Sequence, residues 1–217
     1  MKKLLIAMLV ICAAAMGAEM VLQPGPDTGM DAAFYEDTPD VSYGDLSFMR
    51  LRYYMYDEGS THNRNAVIMF DLSSIEDATI NSAELQLYIL EASATAPDYG
   101  YIAPCDRTWD ETSATWNRLE DRYIDDEKLS MPAWPTAGSY STVDVTSIVQ
   151  DWVNSAYPNY GFYIWLDYEE PAVGDQASLK VAACEYVFDD SYWPKLTVDY
   201  DAADVEPASW GQIKALQ

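Results

Sequence analysis

The chain is poor in basic residues, histidine and cysteine, and each shortage removes a class of function. Only 12 Lys and Arg stand against 36 Asp and Glu in 217 residues, a formal charge of −24. A surface of that sign repels nucleic-acid phosphates and anionic lipid headgroups, so neither is an expected partner. The single histidine, His62, sits in a polar stretch beside Asn63 and Arg64 and reads as a solvated side chain rather than the base of a triad. One histidine and separated cysteines make no closed zinc set. No phosphate loop or dinucleotide fingerprint occurs. No motif marks one carboxylate pair among the 36 acids for glycoside cleavage. The chain therefore reads as non-catalytic.

Apolar runs of membrane-spanning length are missing too. The run from Leu4 to Met16 has 13 residues, whereas a bilayer crossing takes about 20. Lys2 and Lys3 precede it and small residues follow, so residues 1–18 read as a secretory signal peptide cleaved after Ala18. The expected location is secreted, extracellular or at the cell surface, with no membrane span in the mature chain. Loss of the leader lysines leaves ten basic residues against 36 acidic ones, a formal charge of −26. Cys12 departs with the leader. Cys105 and Cys184 remain, an even number in an exported chain, and a disulfide between them is expected. It would close an 80-residue loop, worth about 4.5 kcal/mol in the chain-entropy model. Two buried thiols are the alternative.

Hydrophobic residues make up 49% of the chain and aromatics 13%, which excludes disorder and supplies a core. Their pattern is mostly period two, with turn residues between short runs. Met49, Leu51, Tyr53 and Met55 alternate with Arg50, Arg52, Tyr54 and Tyr56. Leu85, Leu87 and Ile89 alternate with Glu84, Gln86 and Tyr88. Phe162, Ile164 and Leu166 alternate with Tyr163, Trp165 and Asp167. In each run one set should face the core. Ala66 to Leu72 is apolar on both faces and suits a mid-sheet strand. The fold class is all-β: a jelly-roll-like antiparallel β-sandwich with one short helix at an end. That helix covers Thr146 to Ser155, with Val145, Ile148, Val149 and Trp152 at helical spacing, Asp144 or Thr146 as cap, and Ser147 with Gln150 as a capping box. The domain spans 19–200, and a tail of 201–217 carries Trp210, Ile213 and Leu216.

Three segments in order give the chain its likeness to a known family: Thr108-Trp109-Asp110-Glu111-Thr112-Ser113-Ala114-Thr115-Trp116-Asn117, then Asp144-Val145-Thr146 with Trp152, then Asn159-Tyr160-Gly161. Tyr43-Gly44-Asp45, Phe70-Asp71-Leu72, Ser82-Ala83-Glu84-Leu85 and Pro194-Lys195-Leu196 add to it. Over residues 20–200 this resembles the extracellular DNRLRE, or disaggregatase-related, β-sandwich domains. The hexapeptide behind that name is absent, and Cys184-Glu185 stands where a Ser-Arg-Glu triplet is frequent. The resemblance implies a sandwich, and for some relatives carbohydrate binding, acidic polysaccharides included.

The segment from Trp109 to Asn117 reads as a structural corner, its carboxylates and amide fixing a turn around two indoles. The sharpest ligand candidate is the exposed face of the strand 48–56, where Arg50, Arg52, Tyr54 and Tyr56 line one side. Sugars stack on aromatic rings, and arginine grips a carboxylate with two parallel hydrogen bonds. An ordinary sheet face, with the arginines paired to Glu84 or other acids, is the alternative. A structural calcium ion is a further expectation, held between the first and last strands by Asp31, Asp37 and Asp199. The leading functional reading is a binding module for polysaccharide. The second is a structural or adhesive surface protein that engages another protein through its tail.

Overall fold

The computed structural model describes residues 17–94, 99–131, 135–167 and 171–202. The leader up to residue 16 and the tail from 203 onward lie outside the described residues, as do the expectations attached to them. None of the described helices is long and apolar enough to cross a membrane.

The described residues form β1 (Ala18–Leu22), β2 (Met30–Tyr35), β3 (Ser42–Tyr43), β4 (Phe48–Asp57), β5 (Ser60–Thr61), β6 (Arg64–Met69) and β7 (Thr79–Ala94). They continue with β8 (Tyr99–Pro104), β9 (Leu129–Ser130), β10 (Ser139–Asp144), β11 (Phe162–Asp167), β12 (Gln176–Ala182) and β13 (Lys195–Asp201). Two α-helices interrupt them, α1 (Trp116–Leu119) and α2 (Thr146–Val153). The strands run in the order β1-β13-β7-β12-β4-β6-β11-β8-β9, with β10 on β7 and β2 on β6. β4 and β6 meet at the single register pair Arg52–Arg64. There the sheet turns over on itself, so two layers enclose one core: an all-β sandwich.

The alternation seen in the sequence accounts for the first layer. Met49, Leu51 and Tyr53 of β4, Leu85, Leu87 and Ile89 of β7, and Leu179 and Val181 of β12 are all buried in the main core. Two irregularities interrupt the pairing of β7, one at Asn81 against β13 and one at Leu90 against β12. Lys180 faces Glu91 while Val181 faces Ile89, so Leu90 is an extra residue. Such a bulge reverses the side on which later residues point. Glu91 therefore turns outward, where strict alternation would have buried it.

The second layer is buried on both faces, and here one set facing the core is not the whole account. Ile68, Phe162, Ile164 and Ile102 face the main core. Val67, Tyr163, Trp165, Ala103 and Phe34 face a second cluster closed by Trp109, Trp116 and Leu119. The segment from Cys105 to Tyr123 thus lies over this sheet as a cover. Asp110 Oδ1 accepts the backbone N–H groups of Thr112 and Ser113, both at 2.9 Å. Trp109 Nε1 donates to Tyr160 O at 2.7 Å, and Asn117 Nδ2 to Asp40 Oδ1 at 2.7 Å. Gly161 has φ +83, and a Cβ there would meet Ile68 O at 2.3 Å, so only glycine fits.

The helix at one end is α2, with Ile148, Val149 and Trp152 in the core. Val145 is its N-cap residue, without a side-chain cap, and Asp144 Oδ1 accepts the Thr146 N–H at 3.0 Å from one position further out. The capping box does not form. Gln150 Oε1 instead accepts the Ile80 N–H at 2.8 Å and Nε2 donates to Ala78 O at 3.1 Å, tying the helix to the start of β7.

The expected disulfide is absent as well: Cys105 and Cys184 are free and buried. Cys184 is held at β2, where its N–H donates to Asp31 Oδ2 at 2.7 Å. Cys105 follows β8, with Sγ donating to Arg107 O at 3.3 Å. β6 and β11 lie between those two strands. A spacing of about 4.8 Å per strand leaves them well beyond bridging reach. Burial pushes the Cys105 thiol up to about 11 and raises that of Cys184 further, which keeps both unreactive.

Candidate functional site

Pairing between β4, β12, β7 and β6 decides what the outer face of the first layer carries. Arg50 stands opposite Lys180, Arg52 opposite Ser178 and Tyr54 opposite Gln176. Directly opposed residues share a face. Arg52 is also opposite Arg64 across the fold-over. His62 donates its backbone N–H to Tyr54 O at 2.8 Å, which brings the ring of His62 to 4.4 Å from that of Tyr56 and 6.4 Å from that of Tyr54. Arg50, Arg52 and Tyr54 thus share one side of β4, and Tyr56, at an irregularity against β5, keeps its ring 6.3 Å from that of Tyr54.

The sequence did not reveal Arg64, Lys180, His62 and Phe48 as members of the same face. Lys180 alternates with the buried Leu179 and Val181, a signal that it points outward. Nothing local shows that β12 lies beside β4.

Charge on this face is only partly balanced. Glu91, turned out by the bulge, takes Lys180 Nζ at 3.1 Å and Arg50 Nη2 at 3.4 Å. Hydrogen bonding from Lys180 and its positive charge hold the Glu91 carboxyl below its usual range. The partner of Arg50 is therefore Glu91, not Glu84. Arg64 Nη2 meets Asp37 Oδ2 at 3.1 Å and its guanidinium lies 4.3 Å from the Tyr35 ring centre. Arg52 has no carboxylate at ion-pair distance among the described residues. Its guanidinium lies 4.7 Å from the Tyr54 ring centre. Partial burial, and then the charge of Arg64, lower its pKa. Lys180 caps Phe48 at 4.3 Å. An incoming carboxylate would relieve the repulsion between Arg52 and Arg64, and rings beside them offer flat apolar contact.

The three acids expected to hold calcium are not brought together. Asp31 is buried on β2 and takes the Cys184 N–H. Asp37 is committed to Arg64. Asp199, on β13, accepts from Asn81 Nδ2 at 3.4 Å. No group of three or more His, Cys, Asp or Glu among the described residues is arranged to hold a metal. What surrounds Asp31 is Glu111 of the cover and Glu185 after β12. Burial pushes Asp31 up to about 7, with the Cys184 hydrogen bonds opposing and Glu111 adding. Burial and then the charge of Asp31 push Glu185 up to about 7. Glu111 is raised, chiefly by burial, although it accepts the Asp31 backbone N–H. Glu111 Oε1 and Glu185 Oε2 are buried without hydrogen-bond partners. Burial of this kind favours the protonated form of a carboxyl.

Two comparisons bear on the whole. The family model for carbohydrate-binding module family 96 matches residues 28–176. No curated protein matches the chain significantly.

Proposed function

The chain belongs to carbohydrate-binding module family 96, and from that premise we propose that it is an exported, non-catalytic module that holds an acidic polysaccharide on the outer face of β4 and β12. The observation that carries this reading is the gathering of Arg50, Arg52, Arg64 and Lys180, with Phe48, Tyr54, Tyr56 and His62, on one sheet face of a strongly acidic chain. Four of the ten basic residues outside the leader lie there. Uronate carboxylates would engage Arg52 and Arg64, while sugar rings stack on Tyr54 and Tyr56. Export rests on the leader at residues 1–18. The likeness to DNRLRE domains, which extends past the matched residues to Tyr200, fits the same reading.

Isothermal titration with a uronate oligomer tests it. Binding should weaken in Arg52→Ala and in Tyr54→Ala while far-UV circular dichroism stays unchanged. Equal binding of a neutral glucan oligomer, undisturbed by Arg52→Ala, would remove the acidic ligand from the proposal.

A further inference from the structure

Hydrophobic side chains left in water collect at one place. Of the seven large ones that stand exposed among the described residues, three belong to a single surface beside β7 and β10: Tyr140, Val187 and Phe188. Phe188 is 82% exposed and Val187 78%. Single exposed apolar residues are ordinary, but a contiguous patch marks a place of contact. Here the rings touch in series. Phe188 meets Tyr186 edge-on at 5.4 Å, and Tyr186 lies 5.9 Å from Tyr192. Tyr192 stacks on Tyr88 at 3.6 Å, and Tyr88 meets Tyr140 edge-on at 5.1 Å. Tyr88 alternates with the buried Leu87 and Ile89, and Tyr140 is directly opposite it, so both face outward.

The loop that brings the other three rings is pinned. Gln23 Nε2 donates to Ser191 O and Trp193 O at 3.0 and 3.1 Å. Trp193 Nε1 donates to Tyr186 O at 2.8 Å, and the Tyr140 hydroxyl donates to Ser191 O. Asp189 Oδ1 accepts the Ser191 N–H at 3.0 Å, starting one 3₁₀ turn. A phenyl ring held out in water on such a loop adds little to the core, and fixed rings bind at lower entropic cost.

Charge narrows the ligand. Asp189 and Asp190 follow Phe188 directly and are exposed, which disfavours an anionic polymer at this ring. Asp189 is already engaged by the Ser191 N–H and hydroxyl, which leaves the rings as the main contact. Lys195 lies at the far end of the series, 5.7 Å from the Tyr140 ring centre. An uncharged pyranose suits this surface. In β-linked glucose every ring substituent is equatorial, so both sugar faces are C–H surface for an aromatic ring to cover.

We propose that this ring series is a second glycan site, which takes uncharged β-linked glucose units of a polysaccharide, with Phe188 as the stacking ring. Family membership supplies the sugar class, and the site does not depend on the cationic face.

Isothermal titration with cellohexaose tests it. Binding should be indifferent to salt, unlike that of a uronate oligomer. Phe188→Ala should weaken it at least about tenfold, the lower end for covering a phenyl ring, and Phe188→Tyr should retain it. Because Phe188 is exposed, circular dichroism and the thermal midpoint should stay unmoved in both variants. The two glycan readings fail separately. Arg52→Ala should leave cellohexaose binding intact, and Phe188→Ala should leave uronate binding intact, so any glucan still held by Phe188→Ala reports on the face of β4 and β12 alone. No cellohexaose binding, or binding that Phe188→Ala leaves undiminished, would overturn the site. A dimer in sedimentation velocity that Phe188→Ala dissolves would overturn it too, since a second copy would then be the occupant.

Discussion

The two layers of the sandwich follow the same pairing rules and end up with opposite fates. The layer built around β4, β7 and β12 leaves its outer side open over β4 and β12, while at β7 Tyr192 stacks on Tyr88 with ring centres 3.6 Å apart. The layer of β2, β6, β11 and β8 is roofed by residues 105–123, and its outer side became a second core. The bare side displays long charged side chains over rings. The roofed side consists of Phe34, Tyr163, Trp165 and small residues that accept indoles above them. A sheet face becomes a surface for ligands or a floor for a loop according to what its alternate residues can bury.

The largest effect should come from breaking the roof. Trp116 is buried against Phe34, ring centres 6.0 Å apart. Trp116→Ala should cost about 3–5 kcal/mol of stability, read as a lower urea midpoint. If the layers are separate in function, the surviving folded fraction should still bind uronate oligomers with unchanged affinity.

Next comes pH, through the anchor of the roof at Asp31, Glu111 and Glu185. Folded pKa values near 7 for Asp31 and Glu185 exceed their unfolded values of 3.8 and 4.5. Between those limits the folded state binds more protons, so this stabilisation is full below about pH 4 and is lost as pH rises to 7. The loss should be on the order of 4 kcal/mol from Asp31 alone. Asp31→Asn keeps an acceptor for the Cys184 N–H and should flatten the fall in melting temperature from pH 5 to 8. An unchanged slope would show that general repulsion among the acids, not this anchor, governs the pH response.

A smaller effect belongs to the bare layer. Arg52→Ala should cost about 1.5–3 kcal/mol of uronate affinity, reduce its dependence on salt, and leave the thermal midpoint nearly unmoved. The smallest effect concerns the thiols. Reductant should leave the melting temperature unaltered, and denatured protein lacking the leader should titrate two free thiols without it.

The sequence reveals much of the bare layer because period-two alternation places each side chain on a known side. Met49 through Tyr54 could be assigned residue by residue. It reveals less of the roofed layer, where Tyr163 and Trp165 look like outward residues until the distant Trp109 and Trp116 arrive above them. The corner itself was legible from its turn chemistry. Asp31, Asp37 and Asp199 stand apart, and Cys105 and Cys184 are unpaired, for one reason: each set would have needed a spatial neighbour from across the sheet order. Arg64 and Lys180 escaped notice on the same ground. Family membership narrows the ligand to a sugar, but the register of β12 against β4 decides which charges lie side by side.

Leu90, the extra residue of β7 against β12, has a consequence for selectivity. By swinging Glu91 outward it gives Lys180 and Arg50 a resident anion that never diffuses away. A ligand bearing one negative group must compete with this tethered rival and gains little by displacing it. On the proposed reading, a polymer that settled first on Arg52 would bring further groups into place at high local concentration. Glu91→Gln would remove the rival, and short acidic chains should then gain affinity relative to long ones.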